Sequence, residues 1–232
     1  MKVLVLFSGT RSFEKIFEKK NIQVRCLDID THFKPYYNFN ILEWDYKNLN
    51  FVPDYIHASP VCKEFTQLKN CKNHTRNLEL GNKLLNKTLE IIEYFKNINP
   101  KMKFTIENPK GLMRKQECMK KYNRITTSYC MYGLKYKKPT DFWYGGFDLK
   151  LKLCRDTKDK NNWCEFKLNN KIDNRHPVRI GFVGETQITA DEYYRQSKKD
   201  FPEKYGNFKN CSHFLYQIPD RLCESIIEQV II

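Results

Sequence analysis

The strongest constraint on the fold is an apolar run near the start of the chain that gives way to a glycine turn. Residues 3–7 are all apolar, as in a parallel strand that is buried on both faces. The turn Ser8-Gly9-Thr10 follows, and Phe13, Ile16 and Phe17 then recur at the spacing of one helix face. Strand, turn and helix in this order are typical of a nucleotide-binding unit, although with a single glycine an ordinary strand-to-helix turn fits equally well.

The following strands also end in polar residues. Residues 23–27 form a second strand that runs into Asp28, close to 20 residues after the glycine turn. An acid at this place can accept hydrogen bonds from the hydroxyls of a ribose; the alternative is a solvated carboxylate at a strand end. Further short strands are predicted around residues 39–41 and at 55–58. We therefore predict an α/β fold of the Rossmann-like kind, a mostly parallel sheet with helices on both faces.

Two side chains that are candidates for catalysis or substrate binding follow predicted strands. Cys62 comes after residues 55–58 and a Ser-Pro turn, and Glu107 directly follows a fifth strand at 104–106. In a doubly wound sheet both would lie at the carboxyl ends of the strands, where such folds bind ligands. A cysteine there can act as a thiolate nucleophile, and a carboxylate can bind the substrate. The alternatives are a buried core cysteine and a solvated acid.

The rest of the chain supplies scaffold and a basic surface. An apolar stripe over residues 84–95 predicts a long helix, residues 112–121 a basic helical stretch, and residues 125–129 a strand. Lysines alternate with aromatic residues over 137–143, which suits contacts with phosphates and bases or, alternatively, a solvated face over an aromatic core. The composition shifts over residues 145–178, which we interpret as a small irregular excursion from the sheet, and a helix over 219–231 closes the fold.

The amino-acid composition indicates what kind of partner the protein binds and in which cellular compartment it lies. The net charge of +14 favours a polyanionic partner, although a lysine-rich composition can also reflect biased codon usage. Nine cysteines, an odd number at irregular spacing, predict reduced thiols in a soluble intracellular protein. No apolar run approaches the roughly 18 residues that a membrane-spanning helix needs.

The sequence does not favour a metal site. Cys154, Cys164 and His176 lie in the excursion, and Cys211 and His213 lie further along the chain. Zinc ligands usually come as pairs about two to four residues apart, and no such pair joins Cys154 to Cys164. We therefore predict no bound metal.

Several motifs together, in order and in spacing, resemble the DNA cytosine-5 methyltransferase family, most closely its compact phage and viral branch. The residues that carry the resemblance are Phe7-Ser8-Gly9-Thr10, Leu27-Asp28-Ile29-Asp30, residues 54–66, Ile106-Glu107-Asn108-Pro109, residues 129–133 with Lys138-Pro139-Thr140, and Ile218-Pro219. Order and spacing agree over nearly the whole chain.

The resemblance implies an enzyme that transfers a methyl group from S-adenosylmethionine to carbon 5 of cytosine in DNA. It implies that Cys62 attacks carbon 6 of a flipped-out cytosine and that Glu107 binds the exocyclic amine and ring nitrogen 3. The residues implied for the cofactor are Phe7, Ser8, Gly9, Thr10, Asp28, Ile29, Asn40, Ile41 and Pro60.

The chain departs from the family pattern at three places in the site. Val61 precedes the cysteine where the family has proline, and Asn40 stands where an acid usually contacts the adenine amine. The family's Gln-x-Arg-x-Arg is absent, which leaves Arg124 and Lys138 as candidates to bind the substrate.

Residues 145–178 occupy the place of a much larger target-recognition domain. We therefore predict a single methyltransferase domain over residues 1–232 that reads a very short sequence or depends on a protein partner for recognition. If the protein is viral, it would act in the host cytoplasm or nucleus. Two other functions stay open: the same chemistry on RNA or a cytidine nucleotide, and a catalytically silent nucleic-acid-binding protein.

Overall fold

The computed structural model describes residues 1–65, 75–155, 157–169, 175–179 and 187–232, and its centre is a seven-stranded sheet. The strands are β1 (Lys2–Leu6), β2 (Gln23–Asp28), β3 (Tyr37–Asn38), β4 (Tyr55–Ala58), β5 (Lys103–Pro109), β6 (Asn123–Ser128) and β7 (Pro139–Gly145). Their order across the sheet is β3-β2-β1-β4-β5-β7-β6. The first five run parallel, and β7 lies antiparallel to both of its neighbours. The predicted α/β fold with a mostly parallel sheet is confirmed.

Helices cover both faces of this sheet, as predicted. They are α1 (Ser12–Lys19), α2 (Leu78–Ile98), α3 (Glu165–Asn169), α4 (Ala190–Asp200), α5 (Pro202–Tyr205), α6 (Cys211–Tyr216) and α7 (Asp220–Ile231). Alternate side chains of β1 enter opposite cores: Val3 and Val5 pack with α1 and α7, while Leu4 and Leu6 pack with α2. Burial on both faces explains why β1 is apolar throughout.

The parallel register brings the ends of the central strands to one edge. Leu6 lies opposite both Leu27 and Ala58, and Ala58 lies opposite Ile106. Asp28 directly follows Leu27 and therefore lies beside the loop after β1, and Glu107 directly follows Ile106 and lies beside the loop after β4.

Three sequence predictions differ from the structure. Residues 112–121, predicted as helical, contain the 3₁₀ turns Met113–Lys115 and Glu117–Met119 instead, because the Arg114 guanidinium pairs with the buried Asp141 carboxylate and holds this segment against β7. The strand predicted around residues 39–41 lies earlier, at Tyr37–Asn38, because Asn40 turns the chain by accepting a hydrogen bond from the Leu42 backbone N–H. The prediction also missed β7, which contains Phe142, Trp143 and Tyr144 and lies between β5 and β6.

The chain leaves the sheet after β7, as the predicted excursion at 145–178 requires. Within the described part of this segment lie a 3₁₀ turn at Lys160–Asn162, the short helix α3, and β8 (Val178–Arg179), which pairs with β9 (Ile188–Thr189). Helices α4, α5 and α6, which the sequence analysis did not predict, then lead to α7. Across the described ranges, no helix combines the length and the apolar character that crossing a membrane requires.

Candidate active site

A cavity of about 790 Å³ opens at the carboxyl ends of β1, β2, β4 and β5. Its walls bring together almost all of the residues that the sequence analysis selected. These are Phe7, Ser8, Gly9, Thr10, Asp28, Ile29, Asn40, Ile41, Pro60, Cys62, Glu107 and Lys138. A cavity of this volume falls within the usual range for small-molecule sites.

Cys62 begins a 3₁₀ turn, Cys62–Glu64, at the end of the loop that follows β4. Two contacts fix this loop: Asn108 Nδ2 donates a hydrogen bond to the Pro60 carbonyl at 2.8 Å, and the Leu112 N–H donates to the Phe65 carbonyl at 2.7 Å. These hydrogen bonds hold the loop against the end of β5, which carries Glu107. Thr66, the last residue of the sequence motif, lies outside the described residues.

Glu107 is buried, and two hydroxyl groups hold its carboxylate. The Tyr129 hydroxyl donates a hydrogen bond to Oε1 at 3.1 Å, and the Ser59 hydroxyl donates a second. Burial raises the pKa of Glu107 above its usual range, against the opposing effects of Lys138 and of these hydrogen bonds. The site therefore favours a neutral carboxyl more than water does.

Lys138 supplies a positive charge in the cavity wall. Its Nζ donates a hydrogen bond to the Leu215 carbonyl at 2.7 Å and lies 4.7 Å from the centre of the Tyr129 ring. Burial raises the pKa of the Cys62 thiol, and Lys138 opposes this rise. Lys138 thus acts electrostatically on both the cysteine and the carboxyl.

His57 extends this site into the core, and the sequence analysis did not select it. Its Nδ1 lies 2.8 Å from Thr105 Oγ1 and its Nε2 lies 3.0 Å from Ser59 Oγ, while its ring stacks on Phe13. Burial lowers the pKa of His57 to about 3, so the ring is neutral. If Glu107 is ionised, Ser59 must donate to it, and His57 in turn donates from Nε2 to Ser59. The sequence feature that could have identified His57 is its place as the one histidine in a strand, β4, that is otherwise formed by Tyr55, Ile56 and Ala58.

The loop after β1 is shaped by unusual backbone conformations. Phe7 and Gly9 have φ values of 59° and 49°, in the left-handed region that disfavours side chains. A Cβ added to Gly9 would meet no atom within 4 Å, so its backbone faces open space. At the far side of the loop, Ser12 Oγ lies 3.0 Å from Thr10 Oγ1 and accepts a hydrogen bond from the Ile218 N–H. The segment before α7 therefore anchors this loop.

Asp28 connects the loops after β1 and β2. Its Oδ2 accepts a hydrogen bond from the Gly9 N–H at 2.7 Å, and its Oδ1 accepts one from the Asp30 N–H at 2.8 Å. Burial raises the pKa of Asp28 above its usual range, and these backbone hydrogen bonds oppose the rise. The carboxylate thus has a structural role in addition to the one predicted for it.

Apolar side chains surround the rim of the cavity next to Asp28. Ile29 and Phe39 line the cavity with 70% and 56% of their surface exposed, and the buried Ile41 lies in the same wall. The side-chain carbonyl of Asn40 is engaged, because it accepts the Leu42 N–H. This half of the cavity therefore offers apolar surface beside a carboxylate.

Arg124 and the cysteines of the excursion lie outside this cavity. Arg124 is exposed near the start of the outermost strand β6, separated from β5 by β7, and it does not line the cavity. Cys154, Cys164 and His176 do come together, with Cys130 as a fourth member. His213, in contrast, lines the active-site cavity.

Comparisons with known proteins identify the fold. No protein-family model matches the sequence, and no curated protein matches it either. Among solved structures, the methyltransferase EhMeth of Entamoeba histolytica aligns with a TM-score of 0.54 at 12% identity, covering 100% of this chain and 98% of that one. The chain has a methyltransferase fold.

Two further structures match less of the chain. They are Dnmt2 of Schizosaccharomyces pombe and a protein encoded within an Escherichia coli prophage, which is named as a DNA modification methyltransferase. Each aligns with a TM-score of 0.47 at 17% identity over 65% of this chain. The chain spans about half of their lengths, 49% of the prophage protein and 51% of Dnmt2.

Proposed function

We propose that the protein is a DNA (cytosine-5-)-methyltransferase of the compact phage and viral branch, which uses S-adenosylmethionine and forms a covalent adduct through Cys62. One observation carries this proposal. Cys62 and Glu107 line the same cavity as Asp28 and Gly9, so that a nucleophile, a substrate-binding carboxyl and a nucleoside-binding loop share one space.

The residues of the β1 and β2 loops fit S-adenosylmethionine. The open space over Gly9 admits a ligand close to the backbone, and Asp28 can accept hydrogen bonds from ribose hydroxyls. The exposed Ile29 and Phe39 line the same cavity and offer apolar surface for an adenine ring. S-adenosylmethionine supplies an electrophilic methyl group when it is bound.

Cys62 acts as the nucleophile. Its thiol must first lose a proton, because only the thiolate attacks. The sulfur then bonds to carbon 6 of the cytosine, the carbon 5–carbon 6 double bond opens, and the electron pair makes carbon 5 nucleophilic. Carbon 5 would use this pair to take the methyl group that S-adenosylmethionine supplies. The methylated adduct then resolves when carbon 5 loses its proton, the electrons of that C–H bond re-form the double bond, and the sulfur leaves carbon 6 as thiolate. The Lys138 charge favours the thiolate at both ends of this sequence.

Glu107 stabilises the charge that this attack moves into the ring. Its raised pKa lets the carboxyl carry a proton toward ring nitrogen 3, where the negative charge accumulates. Tyr129 and Ser59 hold the carboxyl in place. The cytosine must leave the base stack to reach this pocket, since carbon 6 is inaccessible inside a duplex.

The substrate in this proposal is DNA rather than a free nucleotide. The net charge of +14 suits a partner with many phosphates. Because residues 145–178 form only a small excursion, the proposal includes a short recognition sequence or a protein partner that supplies recognition.

The decisive experiment is mechanism-based trapping. A mixed duplex with 5-fluorocytosine in place of every cytosine is incubated with the enzyme and S-adenosylmethionine, then separated by denaturing electrophoresis. A covalent adduct that requires the cofactor is expected, because fluorine cannot leave carbon 5 as a proton does. Cys62→Ala should abolish the adduct and Cys118→Ala, another half-buried cysteine, should keep it.

Parallel transfer of a labelled methyl group to unmodified DNA, RNA and cytidine monophosphate identifies the substrate. Transfer to RNA or the nucleotide alone would replace DNA in the proposal, and transfer to none would favour the silent binder. An adduct formed by Cys62→Ala would show that another cysteine is the nucleophile.

A further inference from the structure

A second group of reactive side chains lies outside the active-site cavity. One ligand atom from each of Cys130, Cys154, Cys164 and His176 lies within 4.8 Å of the others, and all four residues are buried. His176 Nε2 is 3.7 Å from the Cys154 sulfur and 3.3 Å from the Cys164 sulfur. We propose that these four residues bind one Zn²⁺ ion in a closed, tetrahedral, structural site.

The chemistry of the donor set supports this assignment. Three thiolates and one imidazole form one of the usual ligand sets of structural zinc. With zinc–sulfur and zinc–nitrogen bonds of about 2.3 and 2.0–2.1 Å, tetrahedral geometry places sulfur and nitrogen about 3.6 Å apart. The two measured sulfur–nitrogen distances, 3.3 and 3.7 Å, lie on either side of this value. Binding releases the three thiol protons, so the ion is held by three negative sulfurs and a neutral ring.

The four ligands come from four separate segments. Cys130 lies in the 3₁₀ turn Tyr129–Tyr132 after β6, Cys164 directly precedes α3, and His176 lies just before β8. Cys154 lies two residues after Lys152, whose carbonyl accepts a hydrogen bond from Thr127 Oγ1 at 2.6 Å. A metal ion here would join the excursion to the sheet at a single point.

The excursion packs against the rest of the protein near its two ends, where Leu149 and Val178 enter the core around α1 and α7. Its own apolar core consists of the sulfur side chains of Cys130, Cys154 and Cys164, with Met131 and Phe166 packed against them. The burial of so small a cluster contributes little free energy compared with the conformational entropy that is lost when the segment is ordered. A structural zinc ion supplies folding free energy to such a unit directly.

The site has a structural role and no part in the chemistry. All four positions of the tetrahedron are filled by protein, which leaves none for a water or a substrate. Among the described residues, none of the four ligands lines the active-site cavity. Cys130 nevertheless directly follows Tyr129, the residue that holds Glu107, so the ion would steady the turn that both share.

Metal analysis of the wild-type protein tests the proposal first. Protein purified without chelators, or refolded with zinc, should contain close to one zinc per chain by plasma mass spectrometry. A mercurial thiol reagent should release it stoichiometrically, and replacement with cobalt should produce the visible absorption bands of tetrahedral cobalt–thiolate coordination. Metal-free protein with three free thiols at these positions, or with a disulfide between two of them, would overturn the proposal.

Variants then locate the ion. Cys164→Ser and His176→Ala should lose the zinc, whereas His176→Cys, which keeps four ligands, should retain it. Cys118→Ser and Cys211→Ser, at half-buried cysteines outside the cluster, are the matched controls and should bind zinc as the wild type does. Equal zinc loss in a control would overturn the assignment. If a ligand variant fails to fold, the release and cobalt measurements on the wild type still decide, and none of these readouts depends on methyl transfer.

Discussion

The Tyr129 hydroxyl donates a hydrogen bond to Oε1 of Glu107 across 3.1 Å, and both side chains are buried. Tyr129 lies in the turn after β6, which the antiparallel strand β7 separates from β5. The carboxyl at the centre of the proposed chemistry is therefore oriented from an element two strands away. The proposed zinc site and the active site meet in this turn.

Tyr129→Phe should lower kcat with little effect on KM for DNA. The substitution removes one hydrogen bond to Glu107, which is worth about 1 kcal/mol, or roughly a fivefold loss of rate. Steady-state kinetics of methyl transfer provide the measurement. Tyr46→Phe is the matched control, because the Tyr46 hydroxyl donates to Glu90 at 2.7 Å and neither residue lines the cavity. Equal losses in the two variants would mean that Tyr129 acts only through stability.

Lys138→Met should slow alkylation of Cys62 at every pH below the thiol pKa. Lys138 opposes the rise that burial imposes on this pKa, so its removal raises the pKa further and depletes the thiolate. Each unit of added pKa costs about tenfold in thiolate fraction. The rate of iodoacetamide labelling at Cys62, followed by peptide mass spectrometry against pH, gives the shift. Lys138→Arg should keep the wild-type profile, and so should Lys135→Met at an exposed lysine; a profile unmoved by Lys138→Met would refute the electrostatic role.

Asp28→Ala should weaken S-adenosylmethionine binding by about 1–3 kcal/mol, since ribose hydroxyls lose their acceptor. The variant also loses the hydrogen bond from the Gly9 N–H, which loosens the β1 loop. Titration calorimetry with the cofactor is the measurement. Asp45→Ala serves as the control, because Asp45 accepts a backbone hydrogen bond from Lys47 outside the active-site cavity. Unchanged affinity in Asp28→Ala would leave the carboxylate with its structural role alone.

His57 should make the protein sensitive to acid. Its pKa is lowered to about 3 in the folded state, so below about pH 6.5 the unfolded chain takes up a proton that the folded protein does not. Stability therefore falls as the pH decreases through this range, by about 2 kcal/mol between pH 7 and pH 5. Chemical denaturation of wild type and His57→Gln at both pH values isolates the contribution. The same loss in His57→Gln would assign the acid sensitivity to other groups.

The sequence by itself determined which segments form the central strands β1, β2, β4 and β5 and which residues lie at their carboxyl ends. In β1, β2, β4 and β5 the buried apolar residues are followed along the chain by a residue that packing in the core does not explain: Gly9, Asp28, Cys62 or Glu107. Since parallel strands in register end at one edge, local pattern was enough to place these residues in one cavity.

Only the tertiary structure decided which distant groups join them. Arg124 and Lys138 looked alike as substrate-binding residues, yet the antiparallel β7 carries Arg124 away from β5 while its preceding loop brings Lys138 to the cavity. Cys130 and His176 are far apart in sequence and become neighbours through the return of the chain to the turn after β6. Pairing between strands and contacts between segments depend on side chains distant in sequence, so no local spacing rule could predict either outcome.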